Sequence, residues 1–169
     1  MTNQRLGVNV EGNIRDNLTY NISFGADFRQ FLDTGEPTKV SPVWSGGLRY
    51  QVSPTTSVSF DGTRNVSTSY YTDQYSQTLA LSATITREFL GRYTAFVRAG
   101  YRWSDYNSTL DPTLTVQTAN YSTIRVGVRS PFLVRGSAVL SYSWSNNDAS
   151  NEGLGFTSNQ VSLYLSYGF

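Results

Sequence analysis

The sequence predicts an all-β protein, an up-and-down antiparallel β-barrel of about eight to ten strands formed by residues 1–169 as one domain. Three observations predict this fold. Polar and apolar residues alternate in repeated segments, these segments are longer than the strands of soluble proteins, and the connections between them alternate between short and long.

The alternation is clearest in Leu18–Arg29, where every even residue from Leu18 to Phe28 is apolar and every odd residue is polar or glycine. Side chains point alternately to the two faces of a strand, so this segment has one apolar and one polar face. The same pattern recurs in eight further segments, which gives nine candidate strands in all. The other eight are residues 6–14, 44–52, 57–61, 78–86, 93–104, 123–129, 134–144 and 160–169.

Strand length favours a membrane. Most of the candidate strands have about 9–12 residues, whereas soluble strands average about 5–6 residues and a tilted membrane strand needs about 9–11. The polar face is rich in small residues, which suits a hydrated lumen better than a protein exterior. The alternative is a soluble β-sandwich or a lipocalin-like barrel, in which the apolar face would point inward to a core.

The connections alternate in length along the chain. Short ones lie at residues 15–17, 53–56, 88–91 and 130–132, and longer polar ones lie near residues 32–42, 67–74, 105–117 and 146–157. Short turns on one side and long loops on the other are typical of outer-membrane barrels.

Aromatic residues cluster near the predicted strand ends. Because their amphipathic rings prefer the headgroup level of a bilayer, we expect two aromatic girdles on the outer surface. The predicted girdle on the long-loop side comprises Phe28, Trp44, Tyr75, Tyr101, Trp103, Tyr121, Tyr142 and Trp144, and that on the short-turn side comprises Tyr20, Tyr50, Phe60, Tyr93 and Tyr167.

Arginines dominate the charged positions that alternation turns toward the lumen. The expected lumen-lining set is Arg5, Arg29, Arg49, Arg98, Arg102, Arg125, Arg129 and Arg135, with the acids Glu11, Asp27 and Asp61. A pore lined by arginine favours anions. The alternative is that the arginines pair with the acids as lumen-filling salt bridges.

Arg64 falls on the apolar face by strict alternation. A charged side chain on the lipid face is costly at the bilayer midplane and cheap near an interface. We therefore expect Arg64 either near the outer rim or turned inward by a β-bulge at Gly62.

Composition argues against an enzyme. The chain has no cysteine and no histidine, so it lacks a disulfide framework, thiolate metal ligands, and the commonest general base and zinc ligand. Two carboxylate pairs are conceivable, Asp27 with Asp61 and Asp105 with Asp111, but nothing places a nucleophile or base beside them. The acids of the long loops do not have the spacing of a calcium-binding EF-hand loop; they are Asp73, Asp105, Asp111, Asp148 and Glu152. We expect no catalytic residues, no metal and no cofactor. The net charge of +1 and the scattered arginines indicate no nucleic-acid partner.

The chain ends in Tyr167-Gly168-Phe169 after an alternating segment. This resembles the C-terminal signal of bacterial outer-membrane barrels, in which a terminal aromatic residue is recognised by the barrel assembly machinery, and Phe169 would be that residue. Met1–Arg5 is polar with no apolar segment behind it, so we expect Met1 to replace a removed signal peptide, or the chain to be part of a longer product. Complete barrels of this kind usually have an even strand number. Nine candidate strands therefore mean that a strand is missing, that the first and last strands pair in parallel, or that the count is wrong, and we favour the C-terminal part of a larger barrel.

A second likeness covers about the middle half of the chain. Arg64, the tyrosines Tyr70, Tyr71 and Tyr75, and the stretch Ala99-Gly100-Tyr101-Arg102-Trp103-Ser104-Asp105-Tyr106 follow one another across an alternating strand and turn. This arrangement resembles the β-barrel porin type 2 family. The resemblance implies a barrel in a bacterial outer membrane, in contact with the lipid bilayer and lipopolysaccharide. Some members of that family lie near exopolysaccharide export genes.

Three functions are consistent with these features. The first is a porin-like channel for passive diffusion of small hydrophilic solutes, with a preference for anions. The second is a filled barrel that serves as a membrane anchor or adhesion scaffold through its long loops. The third, implied only by the family resemblance, is a pore component of exopolysaccharide export.

Overall fold

The computed structural model describes residues 2–30, 39–68, 74–108, 115–132, 135–150 and 154–168. In these residues the chain forms nine β-strands. They are β1 (Thr2–Arg15), β2 (Leu18–Gln30), β3 (Lys39–Ser53), β4 (Thr56–Thr68), β5 (Gln74–Phe89), β6 (Tyr93–Ser108), β7 (Thr115–Phe132), β8 (Gly136–Ala149) and β9 (Phe156–Tyr167). Across the same ranges, no helix has the length and apolar character to cross a membrane.

The nine strands form one open sheet in which each strand pairs antiparallel with the next along the chain. This confirms the predicted all-β class and up-and-down strand order. The β-sandwich alternative is wrong for the described residues, because all their strands belong to a single sheet. The edges of the sheet are β1 and β9, which run in the same direction because the strand number is odd.

The strands are longer than the hydropathy pattern indicates, with 12 residues in β9 and 18 in β7. Residues 39–42, 105–108, 115–117 and 146–149 were expected in long connections but belong to strands. In residues 105–108 and 146–149 most side chains on both faces are polar, so the hydrogen-bond ladder continues where alternation gives little signal. Residues 39–42 do alternate, and Pro42 had suggested a connection there. The central parts of the long connections, with Tyr70 and Tyr71, and residues 133–134 at the predicted start of β8 lie outside the described residues, as does Phe169.

The connection from β5 to β6 is a tight hairpin turn. The backbone N–H of Arg92 donates to the carbonyl oxygen of Phe89 at 3.4 Å, and the two central residues, Leu90 and Gly91, have φ angles of 51° and 65°. Two successive positive φ angles are typical of the type I′ turn, whose twist matches that of the flanking strands. The predicted short connection at this position is therefore confirmed.

The two faces of the sheet differ in exposure. Large apolar side chains on the alternating apolar face are exposed, among them Leu6 at 70% and Val161 at 73%. Most of the buried residues are instead polar and include Asp27, Arg29 and Ser141. The polar face is concave, because Arg5 on β1 reaches across it to Asn65 on β4 with a hydrogen bond of 2.7 Å.

The small buried core lies at the long-loop end of the sheet. Within the described residues it comprises Val43, Val66 and Tyr75. The β3–β4 ladder ends at Trp44 and Arg64, while the ladders on either side continue beyond this level. The ends of β4 and β5 are thereby free to lie against the polar face of β2 and β3, as the contacts of Val66 and Tyr75 described below demonstrate.

Candidate functional site

The candidate site is the concave polar face, and its central feature is a pair of arginines. The antiparallel register places Arg98 on β6 directly opposite Arg125 on β7. Arg98 Nη2 donates to Ser82 Oγ at 3.2 Å, and Arg125 donates to Ser141 Oγ through Nε at 3.2 Å and Nη2 at 2.8 Å. Both guanidinium groups therefore bind neutral hydroxyls on the neighbouring strands.

Arg102 and Arg129 extend this basic region along the same face. The guanidinium of Arg102 lies over the ring of Tyr121, with its central carbon 4.9 Å from the ring centroid. Arg129 is exposed opposite Thr94. Among the described residues the ion pairs involve only Asp27 with Arg5 and Arg29. Arg98, Arg102, Arg125 and Arg129 therefore have no carboxylate partner among the residues that the structure describes.

A cavity of about 470 Å³ lies beside these arginines. Its polar lining combines two cations, one acid and several hydroxyls and amides. The residues that carry these groups are Arg98, Arg102, Asp61, Asn21, Thr63, Ser82, Tyr121 and Thr123. Such a lining can hydrate a small polar solute and hold an anionic one at the arginines.

A second cavity, of about 650 Å³, lies nearer the short turns. It is lined by Glu11, Arg49 and Asp61, none of which forms an ion pair within the described residues. The predicted lumen-lining residues Glu11, Asp61, Arg49, Arg98 and Arg102 thus line two neighbouring cavities on the polar face. The small Ser, Thr, Gly and Asn side chains of this face leave its interior unfilled, and each cavity has both polar and apolar walls.

The long-loop end of the polar face is filled by an ion cluster around Asp27. Asp27 Oδ1 accepts from Arg29 Nε at 2.6 Å, and Asp27 Oδ2 accepts from Arg5 Nη2 at 3.0 Å. Asp27 is fully buried and Arg29 is 2% exposed. Arg29 Nη2 also donates to the carbonyl oxygen of Val66 at 2.5 Å. Nη1 of the same guanidinium is buried and has no hydrogen-bond partner among the described residues.

Lys39 and Tyr75 extend the filled region. Lys39 Nζ donates to the hydroxyl of Tyr75, and the same ammonium lies 4.5 Å from the centroid of the tyrosine ring. Tyr75 is fully buried. Its expected place in the exposed aromatic girdle is therefore wrong, because the end of β5 lies against β3. Salt bridges thus fill the polar face at its long-loop end, as one sequence-based alternative expected, whereas the arginines of β6 and β7 form no ion pair with an acid among the described residues.

Two further residues differ from their expected positions. Arg135 precedes β8 in an exposed turn at the short-turn rim, so it is not part of the arginine row on the strands. Tyr121 is opposite Arg102 on the polar face, whereas we expected it in the outer girdle. Tyr121 has the same parity as Arg125, so strict alternation already placed it on the polar face, and Arg135 differs because β8 begins only at Gly136.

The remaining girdle residues lie on the apolar face. Near the short turns Tyr50 pairs with Val58, and Tyr93 stacks on Phe89 with ring centroids 5.6 Å apart. The other predicted residues of that level are Tyr20 and Phe60, which pair with Leu48, and Tyr167, which pairs with Gly136.

Toward the long loops, the aromatic residues mark the end of the apolar band. Trp103 Nε1 donates to Asp105, Tyr101 Oη donates to Asn120, and Tyr142 Oη donates to Asn159. Trp44 is opposite Phe24, and Trp144 is opposite Ile124. Beyond this level the outward residues of β7 to β9 are polar, with the examples Asn146, Asp148 and Thr157. The rings therefore have apolar neighbours on one side and polar partners on the other, as interfacial residues do.

Several residues of the site had no signal in the sequence. Ser82, Ser141 and Tyr121 contact the arginines only because of cross-strand register, and Asn65 and Lys39 join the Asp27 region across the concave face. Comparison of the chain with family models, curated proteins and solved structures found no match. The resemblance to the β-barrel porin type 2 family therefore remains a prediction.

Proposed function

We propose that the chain spans a bacterial outer membrane as a β-barrel, or as part of a larger one, and forms a channel for passive diffusion of small hydrophilic solutes with a preference for anions. The barrel assembly machinery would insert it, and its outer face would contact phospholipid and lipopolysaccharide. This function is passive transport with no catalysed reaction, and we assign no catalytic residue, metal or cofactor to it.

The observation that carries this proposal is the inverted polarity of the sheet. Large apolar side chains such as Leu6, Val8 and Val161 are 70%, 70% and 73% exposed, while the concave face holds the buried polar groups. Exposed apolar surface costs about 25 cal/mol per Å² in water, and a contiguous band of it is typical of a surface that another apolar phase covers. A bilayer supplies such a phase, and the long antiparallel strands suit it.

The preference for anions is supported by the arginines of β6 and β7. Arg98, Arg102, Arg125 and Arg129 share the concave face, and within the described residues no carboxylate neutralises them. Asp61 lines the same cavity as Arg98 and Arg102, so the local charge of the cavity is positive but not uniform. Rings of unneutralised arginine raise the local concentration of anions.

The scaffold function is the second candidate, and the cluster of Asp27, Arg29 and Arg5 favours it. This cluster and the Tyr75 ring occupy the polar face at the long-loop end. A lumen that is filled at one end would support an anchor rather than a channel. The two functions differ in conductance, which is measurable.

The test is electrical recording from the purified chain in a planar bilayer, after insertion has been verified by protease protection in vesicles. We expect stepwise conductance and a reversal potential in a KCl gradient that indicates anion preference. The double variant Arg98→Gln and Arg125→Gln should shift the reversal potential toward zero. The matched control is Arg87→Gln, which removes an arginine from the apolar face beside Ala95 and should leave the selectivity unchanged.

Two outcomes contradict the channel. A silent bilayer after verified insertion would favour the scaffold, and cation preference in the unsubstituted chain would refute the argument from the arginines.

A further inference from the structure

A groove of about 620 Å³ crosses the apolar face over β3 to β6. Trp44, Phe60, Leu81 and Tyr101 form its walls. Gly46 lies on the same face, because it pairs with Ile22 and Gly62. A Cβ added at Gly46 would have its nearest contact at 3.7 Å, with the backbone oxygen of Asn21. The glycine therefore leaves open space at the floor of the groove.

Neighbouring side chains cover the other glycine of this row. A Cβ at Gly62 would lie 3.0 Å from the indole of Trp44 and 3.2 Å from Leu81. Trp44 thus covers Gly62 and forms one wall, while the surface over Gly46 stays recessed. The groove is therefore an apolar slot that stays open because Gly46 has no side chain.

Arg64 lies beside the long-loop end of this slot, because it pairs with Trp44, which forms one of the slot's walls. It pairs with Trp44 and with Leu79, and the register runs without interruption through Gly62. The expected bulge at Gly62 is therefore wrong, and Arg64 stays on the apolar face at the level of the tryptophan. Its Nη2 donates to the neutral Gln77 Oε1 at 3.3 Å. It forms no ion pair with any acid among the described residues.

We propose that Arg64 and the groove together bind one lipid that carries a phosphate headgroup. The phosphate accepts hydrogen bonds from the guanidinium, and an acyl chain fills the slot over Gly46. Two independent features support this occupant. Arg64, which has no ion-pair partner among the described residues, lies at the level of the aromatic residues near the long loops. An unfilled apolar slot begins at the neighbouring Trp44 and extends toward Phe60, which lies about 13 Å from Arg64 along β4. The inference rests on the proposed insertion of the apolar face into a bilayer.

The occupant follows from charge complementarity. Arginine binds phosphate through charge-assisted hydrogen bonds. In a zwitterionic headgroup the phosphate has a positive charge beside it, and that charge competes with the arginine. A free phosphate ion could use Arg64 but would leave the slot empty. Only an acylated phosphate satisfies both the cation and the groove.

The experiment measures lipid retained by the full chain. The chain is inserted into vesicles of equal parts phosphatidylglycerol and phosphatidylcholine, transferred to a non-ionic detergent, and analysed by native mass spectrometry. We expect one retained phosphatidylglycerol, preferred over phosphatidylcholine by roughly tenfold, the ratio that one charge-assisted hydrogen bond supports. Arg64→Gln should remove that preference. Gly46→Leu should fill the slot and reduce retention of both lipids.

The matched control is Arg87→Gln, since Arg87 is an exposed arginine on the apolar face outside the groove lining. It should retain lipid as the unsubstituted chain does. Equal retention of both lipids by the unsubstituted chain, unchanged preference in Arg64→Gln, or complete displacement by millimolar inorganic phosphate would overturn the inference. Those results would leave membrane insertion standing. A chain that fails to insert into the vesicles would refute the proposed function and this inference together.

Discussion

Asp27 is the residue at which a single substitution has the largest expected effect on stability. Its carboxylate is fully buried and contacts two guanidinium groups, Arg29 at 2.6 Å and Arg5 at 3.0 Å. The side chain of Arg29 is 3% exposed and that of Arg5 is 47% exposed. Loss of one partner from a buried ion pair costs about 3–5 kcal/mol, because the other charge stays buried. An ion pair that is open to solvent contributes about 0–1 kcal/mol.

Asp27→Asn should therefore lower the free energy of unfolding by about 3 kcal/mol or more, since Arg29 would be buried without a counterion. Arg5→Gln should lower it by about 1 kcal/mol or less, because water can solvate that end of the cluster. The assay is equilibrium urea unfolding of the vesicle-inserted chain, followed by the fluorescence of its 3 tryptophans.

The double variant Asp27→Leu with Arg29→Met is the matched control. Replacing both charges by apolar groups of similar size is often neutral or stabilising, so it should recover most of the loss. Equal destabilisation by Asp27→Asn and Arg5→Gln would refute the reasoning, as would a double variant less stable than Asp27→Asn. Either result would mean that the carboxylate does not compensate a buried charge.

Two other predictions follow from packing and strand order. Gly127→Val should be strongly destabilising, because a Cβ there would lie 2.8 Å from the backbone oxygen of Leu140 as well as 2.6 Å from the Phe96 ring, whereas Gly46→Val should be tolerated. Urea unfolding compares the two variants, and similar losses of stability would contradict the packing. The chain has no cysteine of its own. Ser137→Cys combined with Ser166→Cys should form a disulfide, because the two serine hydroxyl oxygens are 2.8 Å apart. Asn13→Cys combined with Ser166→Cys should form no disulfide, because these residues lie on the edge strands β1 and β9, which do not pair. A rapid intramolecular disulfide between them would show that the two edges of the sheet meet directly.

Alternation was sufficient to predict the strands. Leu18 to Phe28 alternate without a break, and the structure extends this strand by one residue beyond Arg29. Among the described residues, all nine predicted segments lie in strands apart from Arg135 and Gly168 at the ends of the last two. The signal is reliable because one apolar face and one polar face determine the side to which each residue points. It failed at strand ends near the long loops, such as residues 105–108 and 146–149, where most residues on both faces are polar.

Contacts across strands could not be predicted from a single sequence. Alternation placed Arg98 and Arg125 on one face, but only the register shows that they are directly opposite. The separation of β3 from β4 beyond Trp44 buries Tyr75 and was equally invisible, because it depends on hydrogen bonds that stop between two strands. Asp27 and Arg29 were both expected on the lumen side. Their ion pair depends on rotamers and on burial by the end of β4.

The orientation of the two faces is tested most directly by single labels on β5. Ile85 is 52% exposed on the apolar face, and Thr84 belongs to the polar face. We would replace each with cysteine, attach a small fluorophore, and insert the chain into vesicles. Bromine on the lipid chains should quench the label at Ile85, and aqueous iodide should quench the label at Thr84. Equal responses at the two sites, or the reverse pattern, would contradict an apolar face in lipid around a hydrated interior.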